Sequence, residues 1–181
     1  RIIYGNNRFS EDIDLDNFGL SWSEFEEVIQ KVKRFMEFEG YEVEIRNVAK
    51  DAYRCYLKIP ELLYEQGLSP LPGEKMLIQV DTTTQGYAYQ PETVLLNKFD
   101  VFTEVRVTPL DMLLSQKIYT AVNRNRPKGR DFYDITFLSS RTRPEMQFLE
   151  QKLGIQTADD LRNVISARIE AYDFKRLADD V

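Results

Sequence analysis

Two carboxylates separated by a single residue, Asp12 and Asp14 in the run Glu11-Asp-Ile-Asp-Leu-Asp16, are the side chains whose type and spacing most directly suggest chemistry. On a strand, residues i and i+2 point to the same face. Ile13 and Leu15 then turn the other way, toward an expected core. Two carboxylates held side by side repel, and a divalent cation relieves the repulsion. The spacing therefore reads as a cation clamp on a rigid element, although the same pattern also serves a solvated acidic strand face. Asp81 offers a third carboxylate. It lies in Leu77-Ile-Gln-Val-Asp-Thr-Thr83, an apolar strand pattern in which an unpaired acid is costly. It is either a site member or a strand-end residue capped by Thr82 to Thr84. Three acids on neighbouring strands fit two-metal phosphoryl chemistry, in which the cations bridge attacking and leaving oxygens. Asp12 and Asp14 would hold both ions and a triphosphate. Asp81 would hold one ion and help take the proton from an attacking hydroxyl.

The composition narrows the alternatives. Histidine is absent, which excludes Ser-His-Asp and Cys-His catalysis and most zinc sites. Carboxylates without imidazoles favour a hard cation such as Mg²⁺. The chain carries 24 basic and 30 acidic side chains, a net charge of −6, which argues against a surface coated for non-specific nucleic-acid binding. One local exception is Arg124-Asn-Arg-Pro-Lys-Gly-Arg130, with four cations in seven residues. Arg124, Arg126 and Lys128 are the candidate RNA contacts, with a solvated basic loop as the equal alternative. Cys55 is the only cysteine, so no internal disulfide forms and a reducing cytosol suits the chain. No apolar run approaches the roughly 18 residues of a membrane span, and the start has no signal-peptide pattern.

The elements that must position these residues follow from periodicity. Arg1-Ile-Ile-Tyr-Gly5 reads as the last turn of a helix stopped by a glycine; lacking an initiator Met, it suggests a fragment of a longer protein. Ser21 to Glu39 is predicted helical, with Trp22, Phe25, Val28, Ile29, Val32, Phe35 and Met36 at helical spacing and Gly40 as the stop. Tyr41–Val48, Ala52–Ile59 and Lys75–Thr84 read as strands. Residues 61–73 read as a loop with one helical turn, and Val94–Val107 as extended or mixed. Thr108-Pro-Leu-Asp111 has the form of a helix start with a Thr cap and Pro at the first helical position. That helix is expected to run to about Arg124. Further helices are expected over Arg130–Ser139, Pro144–Leu153 and Thr157–Tyr172, the last opened by a capping box of Thr157 and Asp160.

With these residues in view, Tyr4-Gly-Asn-Asn-Arg-Phe-Ser-Glu-Asp-Ile-Asp-Leu15 resembles the signature of the AbiEii/AbiGii toxin-type nucleotidyltransferases, relatives of the polymerase-β superfamily. Those proteins carry a Gly-Gly-Thr segment ahead of Arg-x-Ser-x-Asp-x-Asp. This chain lacks that segment, whose backbone amides would cradle a triphosphate. A second match, Lys117-Ile-Tyr-Thr-Ala121 followed by Arg126-Pro-Lys-Gly-Arg-Asp-Phe-Tyr-Asp134, is similar to the family's Lys motif and its Arg-Asp-x-x-Asp motif. The resemblance implies that Lys117 contacts the nucleotide; read alone it is an ordinary helix lysine. Arg130 could brace Asp12 or Asp14, or bind phosphate. Arg8 and Ser10 join the nucleotide- and phosphate-binding set, Arg8 alternatively pairing with Glu11. Asp131 and Asp134 share a helix face and would position Lys117 or cap the following helix. The alternative for the whole segment is a helical junction held by salt bridges.

The resemblance implies a Mg²⁺-dependent nucleotidyltransferase that moves NMP from an NTP to an acceptor hydroxyl on RNA, tRNA above all, or on a protein. It further implies a cytoplasmic toxin of a toxin–antitoxin or phage-defence pair, with an antitoxin partner. The fold class expected is α+β: a nucleotidyltransferase-type mixed β-sheet core flanked by helices over 1–107, then a helical C-terminal lobe over 108–181. Phosphatases of the haloacid-dehalogenase type also use Asp-x-Asp, but after a long apolar strand; here Phe9-Ser-Glu11 precedes the pair. The rival class is a non-catalytic nucleotide- or partner-binding module with an incomplete site.

Overall fold

The computed structural model describes residues 2–7, 12–126 and 128–170. Its elements divide between two compact units, one formed by 9–88 and the other by 1–8 with 89–181.

The first unit is a four-stranded mixed sheet with a helix on one face. Its strands are β1 (Asp12–Asp16), β2 (Glu44–Ala49), β3 (Tyr53–Ile59) and β4 (Met76–Thr83), in the order β1-β4-β3-β2. β1 runs parallel to β4, while β3 is antiparallel to both β4 and β2. A parallel neighbour needs a crossover connection, and α1 (Trp22–Phe38) begins it. An Asx turn links β1 to α1: the Asn17 side-chain oxygen accepts from the amides of Gly19 at 2.8 Å and Leu20 at 2.6 Å. The helix then starts on a full capping box. Ser21 accepts from the Glu24 amide, and the Glu24 carboxylate accepts from the Ser21 amide at 2.8 Å. Gly40, at φ +94°, closes the C-terminal end as expected.

The buried face of α1 supplies Phe25 and Ile29. They pack on Cys55, Leu57 and Val80 of the sheet and on Val43, with Trp22 and Tyr53 at the margin. The Trp22 and Tyr53 rings meet edge to face at 5.4 Å between centroids. α1 lies against β2 and β3. The expectation that Ile13 and Leu15 enter a core is therefore corrected. β1 is an edge strand, and these two side chains remain 48% and 51% exposed.

The second unit combines a β-hairpin with helices. The stretch expected to be extended or mixed is β5 (Glu92–Lys98) paired antiparallel with β6 (Val101–Val107). The hairpin groups with the helices and not with the four-stranded sheet, so the division differs from the one expected at residue 107. Four helices follow: α3 (Leu110–Asn123), α4 (Gly129–Ser139), α5 (Met146–Leu153) and α6 (Ala158–Glu170). A short α2 (Leu62–Glu65) belongs to the first unit. The N-cap of α3 is Pro109, one residue beyond the expected Thr108. The Thr108 hydroxyl is bonded to the Tyr89 phenol at 3.0 Å, and no side-chain bond caps the helix. Asp111 instead accepts from the Met112 amide at 2.6 Å. The box at Thr157 and Asp160 is made in both directions, at 2.9 and 3.1 Å.

α3 is the spine of this unit, burying Met112, Leu114, Ser115, Ile118 and Ala121. Ser115 is fully buried and satisfied: its hydroxyl donates to the Asp111 carbonyl at 2.9 Å and accepts from the Glu145 amide at 2.7 Å. Phe148 and Leu149 of α5 complete the core at 0% exposure. Near the start of the chain, where a helix end was expected, residues 2–5 form a turn with Gly5 at φ +70°. The Tyr4 phenol donates to the Thr108 carbonyl at 2.9 Å, which ties this segment into the second unit.

Cys55 gives a direct check on the first core. It is wholly buried, and burial pushes its thiol up to about 11. The raised value keeps the thiol protonated until the pH rises toward it. The folded protein should resist iodoacetamide even at about pH 9, where a free cysteine is largely thiolate, and should react once denaturant is added. Rapid labelling without denaturant, followed by mass spectrometry, would show that the sheet–helix core is open.

Candidate functional site

Pairing register determines which polar side chains share a surface. In the β1–β4 ladder Asp12 is opposite Gln79, Asp14 opposite Asp81 and Asp16 opposite Thr83. Side chains opposite one another lie on the same face of a sheet. The face away from α1 thus gathers Asp12, Asp14 and Asp16 from β1 with Gln79 and Asp81 from β4. The three acids singled out from sequence are brought to two adjacent strands, with Asp14 and Asp81 side by side.

The next strand adds a residue that sequence reasoning did not reach. Arg54 of β3 is the register partner of Asp81 on its other flank. Its guanidinium grips both carboxylate oxygens, Nε to Oδ1 at 2.7 Å and Nη2 to Oδ2 at 2.8 Å. Gln79 donates to the same Oδ2 at 3.2 Å, and Arg54 also reaches the Tyr56 hydroxyl at 3.4 Å. The hydrogen bond to Asp81 first, and that to Tyr56 second, hold the guanidinium above its ordinary range. The pair is only partly buried: the side chains of Arg54 and Asp81 are 40% and 17% exposed. On the edge strand, Asp16 accepts from Gln85 at 2.6 Å.

Could this surface hold a divalent cation? The donor set is right for a hard ion: carboxylate oxygens from a rigid ladder, with no histidine anywhere in the chain. Among the described residues, however, no group of three or more acids or cysteines is drawn together closely enough to hold a metal ion as it stands. At Asp81, the carboxylate that register puts beside Asp14, both oxygens accept from Arg54. The donor types suit a hard ion, but the described geometry does not gather three of them around one point.

The second unit holds the other predicted residues. Asp131 and Asp134 lie one turn apart on α4, at 3% and 4% exposure. Buried carboxylates need partners, and each has a cation from α3 or its C-terminal end. Lys117 reaches Asp134 at 3.0 Å, with Asn6 donating to the same carboxylate at 3.1 Å. Arg124 reaches Asp131 at 3.1 Å. Asp134 is thus ion-paired with Lys117, and Asp131 with Arg124, within the fold of this unit. Arg168 of α6 donates to the carbonyls of Ala121, at 3.2 Å, and Arg124, fixing the end of α3. Arg126 is exposed, while Lys128 and Arg130 are half-buried about the start of α4. Arg8 and Ser10 lie outside the described residues.

Comparison with known proteins adds a family and a fold. A model of the family described as "Nucleotidyl transferase AbiEii toxin, Type IV TA system" matches residues 1–177. No curated protein matches the chain. Among solved structures the chain is similar to the crystal structure of JHP933 from Helicobacter pylori, at 15% identity and a TM-score of 0.53. That similarity covers 99% of this chain and 65% of the other, and at this identity it shows the fold alone.

The Lys117–Asp134 pair can be tested by itself. Lys117→Met leaves a buried carboxylate with its amide partner but without its cation, and should cost about 2 kcal/mol after discounting for the partial exposure of the lysine. Adding Asp134→Asn should cost much less than the sum of the two single changes. Urea unfolding of the three variants measures the coupling, and strict additivity would show that the two side chains are independent.

Proposed function

The chain belongs to the AbiEii nucleotidyl transferase toxin family of type IV toxin–antitoxin systems, and on that footing we propose that it transfers NMP from an NTP to an acceptor hydroxyl with Mg²⁺. The observation that carries this reading is the β1–β4 register, which sets Asp14 beside Asp81 with Asp12 on the same face. Asp12 and Asp14 would hold the ions and, through them, the triphosphate. Bound Mg²⁺ would supply the charge that offsets negative charge developing on the phosphoryl and leaving oxygens. Asp81 would accept the proton of the attacking hydroxyl as its oxygen bonds to the α-phosphorus and pyrophosphate leaves. Lys117 is the proposed phosphate-binding lysine of the helical unit, its ammonium aimed by Asp134. Arg8, Ser10 and Arg130 complete the proposed nucleotide-binding set.

The acceptor we favour is RNA, tRNA in particular, with Arg124, Arg126 and Lys128 as contacts. Their support is the local density of cations in a chain of net charge −6. A protein hydroxyl is the alternative acceptor. No helix among the described residues is long and apolar enough to cross a membrane. We place the protein in the cytoplasm, where NTP and RNA are found, as the toxin of a pair that acts in phage defence. Its antitoxin partner follows from the family's type IV description.

The deciding experiment offers each labelled NTP with Mg²⁺ and total cellular RNA, beside Asp12→Asn and Asp14→Asn controls of verified fold. Label should enter one RNA class and fall by a factor on the order of a thousand in both controls, since charge stabilisation at the reacting phosphate is lost. Label in protein would transfer the reading to a protein acceptor. Equal transfer by either control would overturn the metal assignment, and no label in any acceptor would favour a binding module.

A further inference from the structure

We propose that Arg54 is an exchangeable counter-cation. It pairs with Asp81, yields that carboxylate to a divalent cation, and turns its guanidinium to the triphosphate. The proposal rests on the metal reading above and adds a residue that the reading does not contain.

A carboxylate has about four lone-pair positions. On Asp81 two are taken by the Arg54 fork, at 2.7 and 2.8 Å, and a third by Gln79 at 3.2 Å. One position, on Oδ1, is left, so a cation can share Asp81 with the fork only through that oxygen and against the repulsion of the guanidinium, and a cation that draws on Asp81 more fully displaces an Arg54 contact. Three features make the exchange feasible. The Arg54 side chain is 40% exposed, so it moves into solvent without opening the core. Its stem leaves from β3, a central strand, so the movement leaves the Asp81 backbone in place. Gln79 stays on Asp81 as a neutral donor and keeps that carboxylate oriented while the fork departs.

The guanidinium that leaves is next to the place where the phosphates would arrive. A planar fork that fits a carboxylate also fits a phosphate, with two parallel N–H···O contacts. Arg46 lies on the same sheet face, one strand further out and exposed, and extends the cationic side of this surface away from the acids of β1. On this face the acids of β1 and β4 give way to Arg54 and Lys58 on β3, while β2 carries Arg46 together with Glu44. Metal binds where the acids are, and phosphate where the cations are. Because Arg54 belongs to both halves, metal alone competes with it and metal with triphosphate does not. Binding of the two is then cooperative in both directions.

The test separates this role from a merely structural one by the sign of two effects. Mn²⁺ affinity without nucleotide is read from the electron paramagnetic resonance of the free ion. Affinity for each NTP is read by calorimetry with Ca²⁺ in place of Mg²⁺ to stall transfer. Arg54→Gln should bind Mn²⁺ alone about tenfold more tightly and its NTP about tenfold more weakly. If Arg54→Gln does not fold, Arg54→Lys keeps the charge but spans one oxygen, and carries the same signs at smaller size. Unchanged or weaker Mn²⁺ binding by a folded variant overturns the exchange, and unchanged NTP affinity overturns the transfer of Arg54 to phosphate. Asp14→Asn run in parallel keeps the two readings apart. If it leaves Mn²⁺ binding intact, the metal site itself is wrong. If it abolishes Mn²⁺ binding while Arg54→Gln changes nothing, the Arg54 proposal alone fails.

Discussion

Electrostatic repulsion among carboxylates on one sheet face is the constraint on which the first unit turns. The β1–β4 register puts Asp14 beside Asp81 and leaves Asp12 and Asp16 on the same side. Backbone hydrogen bonds hold the strands at a fixed spacing, so the acids cannot relax apart by moving the chain. Charge must be brought in, and the neighbouring strand brings it through Arg54. The rest of the unit makes this crowding tolerable. α1 and its aromatic cluster bury the opposite face, so the sheet is held from behind and the acidic face is left to water, where like charges are screened.

The sequence disclosed the parts of the fold governed by short-range rules. α1 follows from a 3.6-residue apolar spacing between Ser21 and Gly40, and the structure gives it the same start and the same glycine stop. The strand containing Asp81 is equally plain, as an apolar run ending in threonines. The hairpin is the opposite case. Its two-residue turn is Phe99-Asp100, with both residues at positive φ, 55° and 59°. Turns of that geometry normally advertise themselves by Asn-Gly or Asp-Gly. A phenylalanine in the left-handed region carries no such signal and is set by its surroundings against its own preference. The start of α3 falls one residue beyond Thr108, with Pro109 as its N-cap, a shift that the capping pattern does not mark.

Legibility of the candidate site divides along the same line. Asp12 and Asp14 share a face by local geometry alone, and a two-residue spacing on a strand is enough to say so. Which strand lies next to β1, and in what register, is decided by pairings 67 residues apart in the chain, Asp14 with Asp81. Arg54 illustrates the limit. Tyr53-Arg-Cys-Tyr-Leu-Lys58 alternates in the manner of any half-buried strand, and Arg54 reads there as one more solvent-facing cation. Only the antiparallel register of β3 on β4 turns it into the partner of Asp81. A residue whose role comes wholly from a non-local pairing leaves no motif behind.

The ion-paired acids of the two units behave differently because of burial. Asp131 and Asp134 are almost wholly enclosed, and their cations, Arg124 and Lys117, come from the helical unit itself. A charge so placed must keep its partner, because an unpaired ion in that setting costs several kcal/mol. Those pairs therefore belong to the folded state and persist with it. Asp81 sits in a shallower place, with a cation that is 40% exposed. There, breaking an ion pair releases groups that water can receive, so one cation can be replaced by another at moderate cost. The same chemical pairing, a carboxylate with a basic side chain, is thus permanent scaffolding in one unit and replaceable in the other. The difference follows from how much solvent each pair can reach.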